Sequence, residues 1–314
     1  MAQDPRALLQ KVIRSRRRRT AGLTGIADHP RVQAEKALSG AGGGFSLFGG
    51  RQEKFENAAD LYIQAAYAFR MQKQEKEAGI AFERAAAIQT KNLNEPDDAA
   101  STLVDAFRAY RKTDPEDAAR VLDSAISHFT SRGNFRRAAT HKQSLAEVYE
   151  SEIGDQKRAI AAYETAASWF EGDNAEALAN KLYLKVADLA ALEGDYYKSI
   201  EQYERVAKSS VSNNLMKWSV KDYFLKAGLC HLATNDMVGA NRALEGYRDL
   251  DPTFASTREH QLLVDLSEAI EQGEQELFAD KLFQYDRMSK LDKWKTTILL
   301  RIKGGIEEKG EDFS

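Results

Sequence analysis

The sequence predicts an all-α fold, a tetratricopeptide-like right-handed superhelix of antiparallel helix pairs with a C-terminal helical bundle cap. Three observations point to it. The stretch Ile153–Ala207 holds one pattern twice, forty residues apart: Gly154-Asp155 followed by Ala159, Tyr163 and Ala166, then Gly194-Asp195 followed by Ser199, Tyr203 and Val206. After each Gly-Asp turn these side chains fall on one helical stripe, and the small residue lets a neighbouring helix come close. Small residues also recur about every 20 positions, at Ala59, Ala78, Ala99, Ala118, Ala138, Ala159, Ala179, Ser199, Val220 and Ala240. Each step holds a helix of about four turns and a short loop, so two steps make a unit longer than the usual repeat of about 34 residues. Third, the 314 residues contain only five prolines, with 43% hydrophobic and 30% charged residues, as in a surface-rich helical protein. A stacked array of this length needs no second domain, because each unit packs only on its neighbours.

The N-terminal section, residues 1–54, begins as a helix at Pro5–Lys11 and breaks at Val12. Val12–Gln33 carries six arginines against one aspartate, a net +5 that leaves the rest of the chain at about −8. Removing Val12–Gln33 would join Leu8-Leu9-Gln10-Lys11 to Ala34-Glu35-Lys36-Ala37-Leu38 in one amphipathic pattern, so the segment reads as an insertion. It begins with Val and ends with Gln, as a retained intron translated in frame from GT to CAG would; a genuine extension is the alternative. As an insertion, its arginine run gives little weight to a nucleic-acid partner.

Residues 40–50 form a glycine loop with Phe45, Leu47 and Phe48 at its centre. Glycine this dense cannot hold a helix, and a plain linker has no use for three large apolar side chains. No Gly-Lys-Ser/Thr follows, so it is not a phosphate loop. Either the loop folds onto its own domain, or it is an exposed apolar tip that touches a membrane or a partner.

The repeat array spans residues 55–250. Its loops are marked by Asn94-Glu95-Pro96-Asp97, Thr113-Asp114-Pro115-Glu116, Ser131-Arg132-Gly133-Asn134 and Glu171-Gly172-Asp173-Asn174, where Asp and Asn suit helix caps and Pro115 a first turn. Aromatics on the helices, among them Tyr62, Phe82, Tyr110, Phe129, Tyr163 and Tyr203, read as packing between helices rather than as a base-stacking platform. After Asp251-Pro252, helices at Arg258–Gly273, Glu274–Met288 and Leu291–Lys303 make a cap over residues 251–304, as an open array end requires. Gly304-Gly305 is expected to stop the last helix, leaving residues 305–314 as an acidic tail with one late aromatic, Phe313.

Catalytic constellations are missing. The five histidines fall at no metal-ligand spacing, Cys230 is the only cysteine, and no nucleophile elbow, nucleotide fingerprint or zinc-protease motif occurs. The sequence therefore reads as a non-enzyme without cofactor or metal, with Cys230 a core residue in a reducing, cytoplasmic setting. No apolar run approaches membrane-spanning length. Basic pairs stand out more: Lys181 and Lys185 are four apart on one helix, and Lys217 and Lys221 are four apart two steps later, with Arg136, Arg137 and Lys142 two steps before. Alternate helices of a solenoid line one surface, so these bases are expected to form a stripe that attracts a long acidic partner.

The blocks Gly44-Phe45-Ser46-Leu47-Phe48-Gly49-Gly50, Asp155–Glu164, Ala179-Asn180-Lys181 with Leu184-Lys185-Val186-Ala187, Lys221–Ala227 and Leu291-Asp292-Lys293-Trp294 with Thr296–Lys303 resemble the soluble NSF attachment protein (alpha-SNAP) family, over Ala34 to Ser314. The resemblance implies an adaptor that binds the assembled SNARE four-helix bundle and recruits and stimulates the AAA+ ATPase NSF. It implies SNARE contacts at Lys181, Lys185, Leu215, Lys217 and Lys221, a membrane contact through Phe45, Leu47 and Phe48, and an NSF-facing set of Asp236, Glu268, Glu271, Glu308, Glu311, Asp312 and Phe313. It also implies peripheral attachment to the membrane surface. The chain departs from the family at Asn134 and Thr140, where bases are common, with Arg136, Arg137 and Lys142 as nearby substitutes. Gln272 stands for an acid, Phe313 for a leucine, and Val12–Gln33 has no counterpart. A generic helical-repeat scaffold for peptides or a transport coat is the alternative, but it would need neither the apolar loop nor the acidic tail.

Overall fold

The computed structural model describes residues 31–37, 39 and 50–311, with side chains as far as Ile306. Of the inserted segment only its last three residues are described; they open a short helical stretch at residues 31–37, in which Ala34 is fully buried and Glu35 meets Arg84 at 2.9 Å. That helix runs across the 33/34 boundary without a break. Phe45, Leu47, Phe48, Asp312 and Phe313 lie outside the described residues.

The described residues are helical with no strand. In chain order the helices are α1 (Gly50–Met71), α2 (Glu75–Ile88), α3 (Pro96–Tyr110), α4 (Pro115–Ser131), α5 (Phe135–Val148), α6 (Gln156–Gly172), α7 (Glu176–Leu192), α8 (Tyr196–Val211), α9 (Val220–Ala233), α10 (Met237–Leu250), α11 (Arg258–Gln272), α12 (Gln275–Met288) and α13 (Lys293–Glu311). This is the all-α, tetratricopeptide-like class that the spacing predicts. All ten small residues at the twenty-residue steps are at most 3% exposed, which is what close helix approach requires. The loops fall where Asn, Asp, Gly and Pro place them. Pro96 and Pro115 open α3 and α4, and the side chains of Asn134, Asp195 and Asp236 accept backbone N–H groups at the starts of α5, α8 and α10.

The chain divides into two compact units, Met1–Ala159 and Ile160–Ser314, the division falling in the first turn of α6. In the first unit α1 to α5 pack each on the next in sequence. Gly79 of α2 permits this closely, since a Cβ there would lie 2.5 Å from the Tyr110 ring. The Tyr110 hydroxyl donates to Glu83 at 2.7 Å, and Arg120 donates to the same carboxylate.

The second unit is arranged around α9, which packs against α8, α10, α11 and α13. Its Phe224, Leu225, Leu229 and Cys230 are all fully buried and form the apolar stripe that faces the core. Cys230 is thus a core residue; burial pushes its thiol up to about 12, and Ser199 is its hydrogen-bond partner at 3.3 Å. The α11–α13 cap shares one core with α7–α10. Three side chains of α13 fasten it. Trp294 Nε1 donates to the Asp188 main-chain oxygen at 2.9 Å, Lys295 pairs with Asp222 at 2.7 Å, and Arg301 donates to the last carbonyls of α7, Ala191 at 3.0 Å and Leu192 at 2.7 Å. Arg301 thereby caps a helix end that has no further turn to accept its bonds.

One expectation fails here. Gly304-Gly305 does not stop the last helix, which continues to Glu311. Ile302 and Ile306, four apart and each 6% exposed, bury a stripe on both sides of the glycines. That burial outweighs the roughly 1 kcal/mol per glycine that weakens the helix.

Candidate partner-binding surfaces

Within the second unit, Lys181 and Lys185 stand on α7 beside its buried stripe of Leu182, Tyr183 and Val186, Lys181 exposed and Lys185 half-buried. Asn180 donates to Ser209 near the end of α8 at 3.2 Å, so Lys181 lies close to where the chain leaves α8. The connection that follows is a turn, not more helix. Leu215 N donates to the Asn213 side chain at 3.0 Å, Met216 N and Lys217 N donate to the Asn213 main-chain oxygen, and Lys217–Ser219 form a 3-10 turn before α9. Lys217 and Lys221 therefore do not share one α-helix, as their spacing led us to expect. Asn213 accepts these backbone N–H groups through its side chain and its carbonyl, and so breaks the period.

This turn pushes two large apolar side chains into water: Leu215 is 90% and Trp218 76% exposed. Lys217 is exposed too, its ammonium 5.5 Å from the centre of the Trp218 ring and 3.4 Å from Asn214. Lys221, in the first turn of α9, is half exposed and reaches Glu259 at 3.0 Å. Trp218 was missed from sequence, although a tryptophan in an Asn-rich turn, where no helical stripe can bury it, is itself the signal.

In the first unit the bases are more committed. The Arg137 guanidinium lies 4.1 Å over the Phe129 ring and donates to Ser101 at 3.2 Å, and Lys142 pairs with Asp123 at 3.1 Å. Arg136 is exposed on α5. The two residues that depart from bases have structural work of their own: Asn134 caps α5 by accepting from Arg137 N at 3.4 Å, and the Thr140 hydroxyl donates to the Arg136 carbonyl at 3.0 Å.

The expected acidic set is only partly brought together. Glu268 and Glu271 line one cleft of 330 Å³ between α10 and α11, floored by Leu244 and Val264. Asn241 donates to Glu271 at 2.9 Å and accepts from the buried Ser267 at 3.0 Å, which fixes the Glu271 carboxylate at the rim. Asp236 is not part of this cleft; it caps α10, accepting from Gly239 N at 2.9 Å. Gln272 closes α11, exposed. Glu308 and Glu311 fall in the last turns of α13, where only the backbone is described.

Among the described residues no cluster of His, Cys, Asp and Glu could hold a metal, and no helix is long and apolar enough to cross a membrane. The fold, with its cationic and apolar turn and its acidic cleft, defines a tetratricopeptide-like helical-repeat protein. The family model described as "Soluble NSF attachment protein, SNAP" matches residues 27–307. The chain is similar to the probable vesicular-fusion protein sec17 homolog of Neurospora crassa, 55% identical over 92% of this chain and 100% of the relative. A relative of the same description in Schizosaccharomyces pombe is 53% identical over 92% and 100%. The alpha-soluble NSF attachment protein of Homo sapiens is 42% identical over 90% of this chain and 95% of that protein. The chain belongs to the soluble NSF attachment protein family.

Proposed function

We propose that this chain is a non-enzymatic adaptor of vesicle-mediated membrane fusion, which binds assembled SNARE complexes and recruits and stimulates an NSF-type AAA+ ATPase that takes them apart. Its relatives are named vesicular-fusion and NSF attachment proteins. The observation that carries the SNARE half of the reading is the α8–α9 turn. Leu215 and Trp218 stand in water beside Lys217, with Lys181 near the same end of α8. An exposed apolar anchor with a cation beside it suits an acidic, partly apolar helical bundle. The cationic residues are Lys181, Lys185, Lys217 and Lys221, with Arg136 as an exposed base of the first unit.

The ATPase half rests on the acids Asp236, Glu268 and Glu271 and on the tail residues Glu308, Glu311, Asp312 and Phe313. Phe45, Leu47 and Phe48 touch the membrane in this reading and keep a cytoplasmic protein at its surface. The test is binding of assembled SNARE complex by the Lys181→Glu, Lys185→Glu double variant. Weaker binding, most visible at low salt, is expected, and unchanged binding would remove the cationic surface from the account. Phe45→Ser with Phe48→Ser should slow disassembly of membrane-anchored SNAREs and spare soluble ones; equal loss in both would assign the loop to folding. Truncation after Gly310 should lower ATPase stimulation, and full stimulation without those residues would contradict the tail's role.

A further inference from the structure

Two helices of the second unit that are far apart in the sequence are spliced by hydrogen bonds. α13 meets the last two turns of α7 at two heights. Trp294 Nε1 donates to the Asp188 main-chain oxygen at 2.9 Å, and further along α13 the Arg301 guanidinium donates to the main-chain oxygens of Ala191 at 3.0 Å and Leu192 at 2.7 Å. Both helices advance in the same sense through these contacts, so α13 runs on where α7 ends. Lys181 and Lys185 stand on α7 before the splice, and Glu308 and Glu311 belong to α13 after it. From Lys181 to Leu192 and from Arg301 to Glu311 the two helices together supply about 30 Å of rod. Along the chain, the same two ends are separated by α8 to α12 and their turns.

The core holds α13 in place without fixing its position along α7. Ile298, Leu299, Ile302 and Ile306 are all buried, but apolar burial is non-directional, and packed helices relieve a pull by small sliding. Bonds to carbonyl oxygens fixed in a helix resist that slide. Asp188 strengthens the joint from the other side. Its carboxylate accepts from the Tyr203 hydroxyl of α8 and from the Lys226 ammonium of α9 at 2.8 Å, and that ammonium lies 4.9 Å from the centre of the Trp294 ring. One residue of α7 thereby gathers α8, α9 and α13.

We propose that Arg301 and Trp294 are positioning residues for SNARE disassembly: they lock α13 to α7, so that a pull by the NSF-type ATPase on the end of α13 reaches Lys181 and Lys185 instead of sliding α13 over the core. The inference rests on the two partnerships proposed above. Neither residue touches a partner in this role.

The test uses the full-length protein, assembled SNARE complex and the hexameric ATPase. Arg301→Gln removes the forked bond to Ala191 and Leu192, and Trp294→Phe removes the bond to Asp188 while keeping a ring. Affinity for SNARE complex alone, and for the ATPase on SNARE complex in a non-hydrolysable ATP analogue, is expected to stay within about twofold of the parent. With ATP, the number of SNARE complexes separated per ATP hydrolysed is expected to fall about threefold or more in each variant. Arg301→Lys, which keeps the charge and can reach one carbonyl, should recover part of that yield. A merely structural role would instead lower the melting temperature and the ATPase affinity together. Parental yield per ATP in both single variants would overturn the proposal, and so would a loss of SNARE or ATPase affinity as large as the loss of yield. Should Arg301→Gln melt well below the parent, Trp294→Phe decides by the same outcomes. Failure of the parent protein to separate SNARE complexes at all would overturn the adaptor reading itself.

Discussion

Lys221 of α9 reaches the Glu259 carboxylate of α11 at 3.0 Å, and Glu259 is only 9% exposed. One of the bases proposed to grip the SNARE bundle is thus also the counter-ion of a nearly buried acid. Lysines that look alike in sequence differ in this respect, and the difference is measurable.

Lys221→Glu removes that counter-ion and sets a second carboxylate beside the first. It is expected to cost about 1–2 kcal/mol, less than a fully buried pair would because Lys221 is half exposed. Lys181→Glu, on an exposed face of α7, should change stability by no more than ~0.5 kcal/mol. Urea unfolding of the two variants checks this. Equal stabilities would show that Glu259 does not depend on Lys221.

Trp218→Ser separates apolar anchoring from charge. At 76% exposure the ring contributes little to folding, so the melting temperature should stay put. SNARE-complex binding should weaken about tenfold or more, in keeping with an aromatic anchor, while its salt dependence stays that of the parent because no charge is removed. Titrations at two salt concentrations provide the comparison; parental affinity would take Trp218 out of the interface.

Gly228→Ala tests the packing of α9. An added Cβ would lie 2.5 Å from Leu263 Cδ1, and Leu263 is itself fully buried, with little room to turn away. Overpacking of this kind costs about 1–3 kcal/mol. The loss should appear as a lower urea midpoint with an unchanged slope.

Acid should weaken the first unit through His141. Burial holds its imidazole below the ordinary histidine range, with the charges of Arg137 and Arg108 acting the same way, and its ring stacks on Phe129 at 5.4 Å. The unfolded chain then takes up this proton more readily than the folded one. The stability concerned is fully present above the unfolded value of about 6.5 and is lost as pH falls through the lower folded value. A His141→Gln variant should lose less stability than the parent between pH 7 and pH 5.5 in parallel urea titrations. Identical losses would place the acid sensitivity elsewhere.

Much of the fold was legible because its signals are local. Ten small residues at twenty-residue steps marked the buried contact of ten helices, and Asn134, Asp195 and Asp236 announced the starts of three of them. The end of α13 was not legible, because its stop signal, Gly304-Gly305, is overruled by Ile302 and Ile306 packing on helices far away in sequence. The candidate surface was legible by residue type but not by geometry. Spacing placed Lys217 and Lys221 on one helix, whereas the backbone bonds around Asn213 turn the chain between them and expose Trp218. Whether a base is free or engaged was equally invisible, since Arg137 and Lys142 meet Phe129 and Asp123 only after α4 and α5 have packed.

The central claim is that this chain links SNARE complexes to the ATPase, and SNARE disassembly tests it most directly. Assembled SNARE complex is mixed with hexameric NSF-type ATPase and ATP, with and without this protein, and separation of the bundle is followed by loss of energy transfer between labelled helices. The account predicts disassembly only when the protein is present, with the rate reduced by Trp218→Ser. A rate that is the same with and without the protein would contradict it.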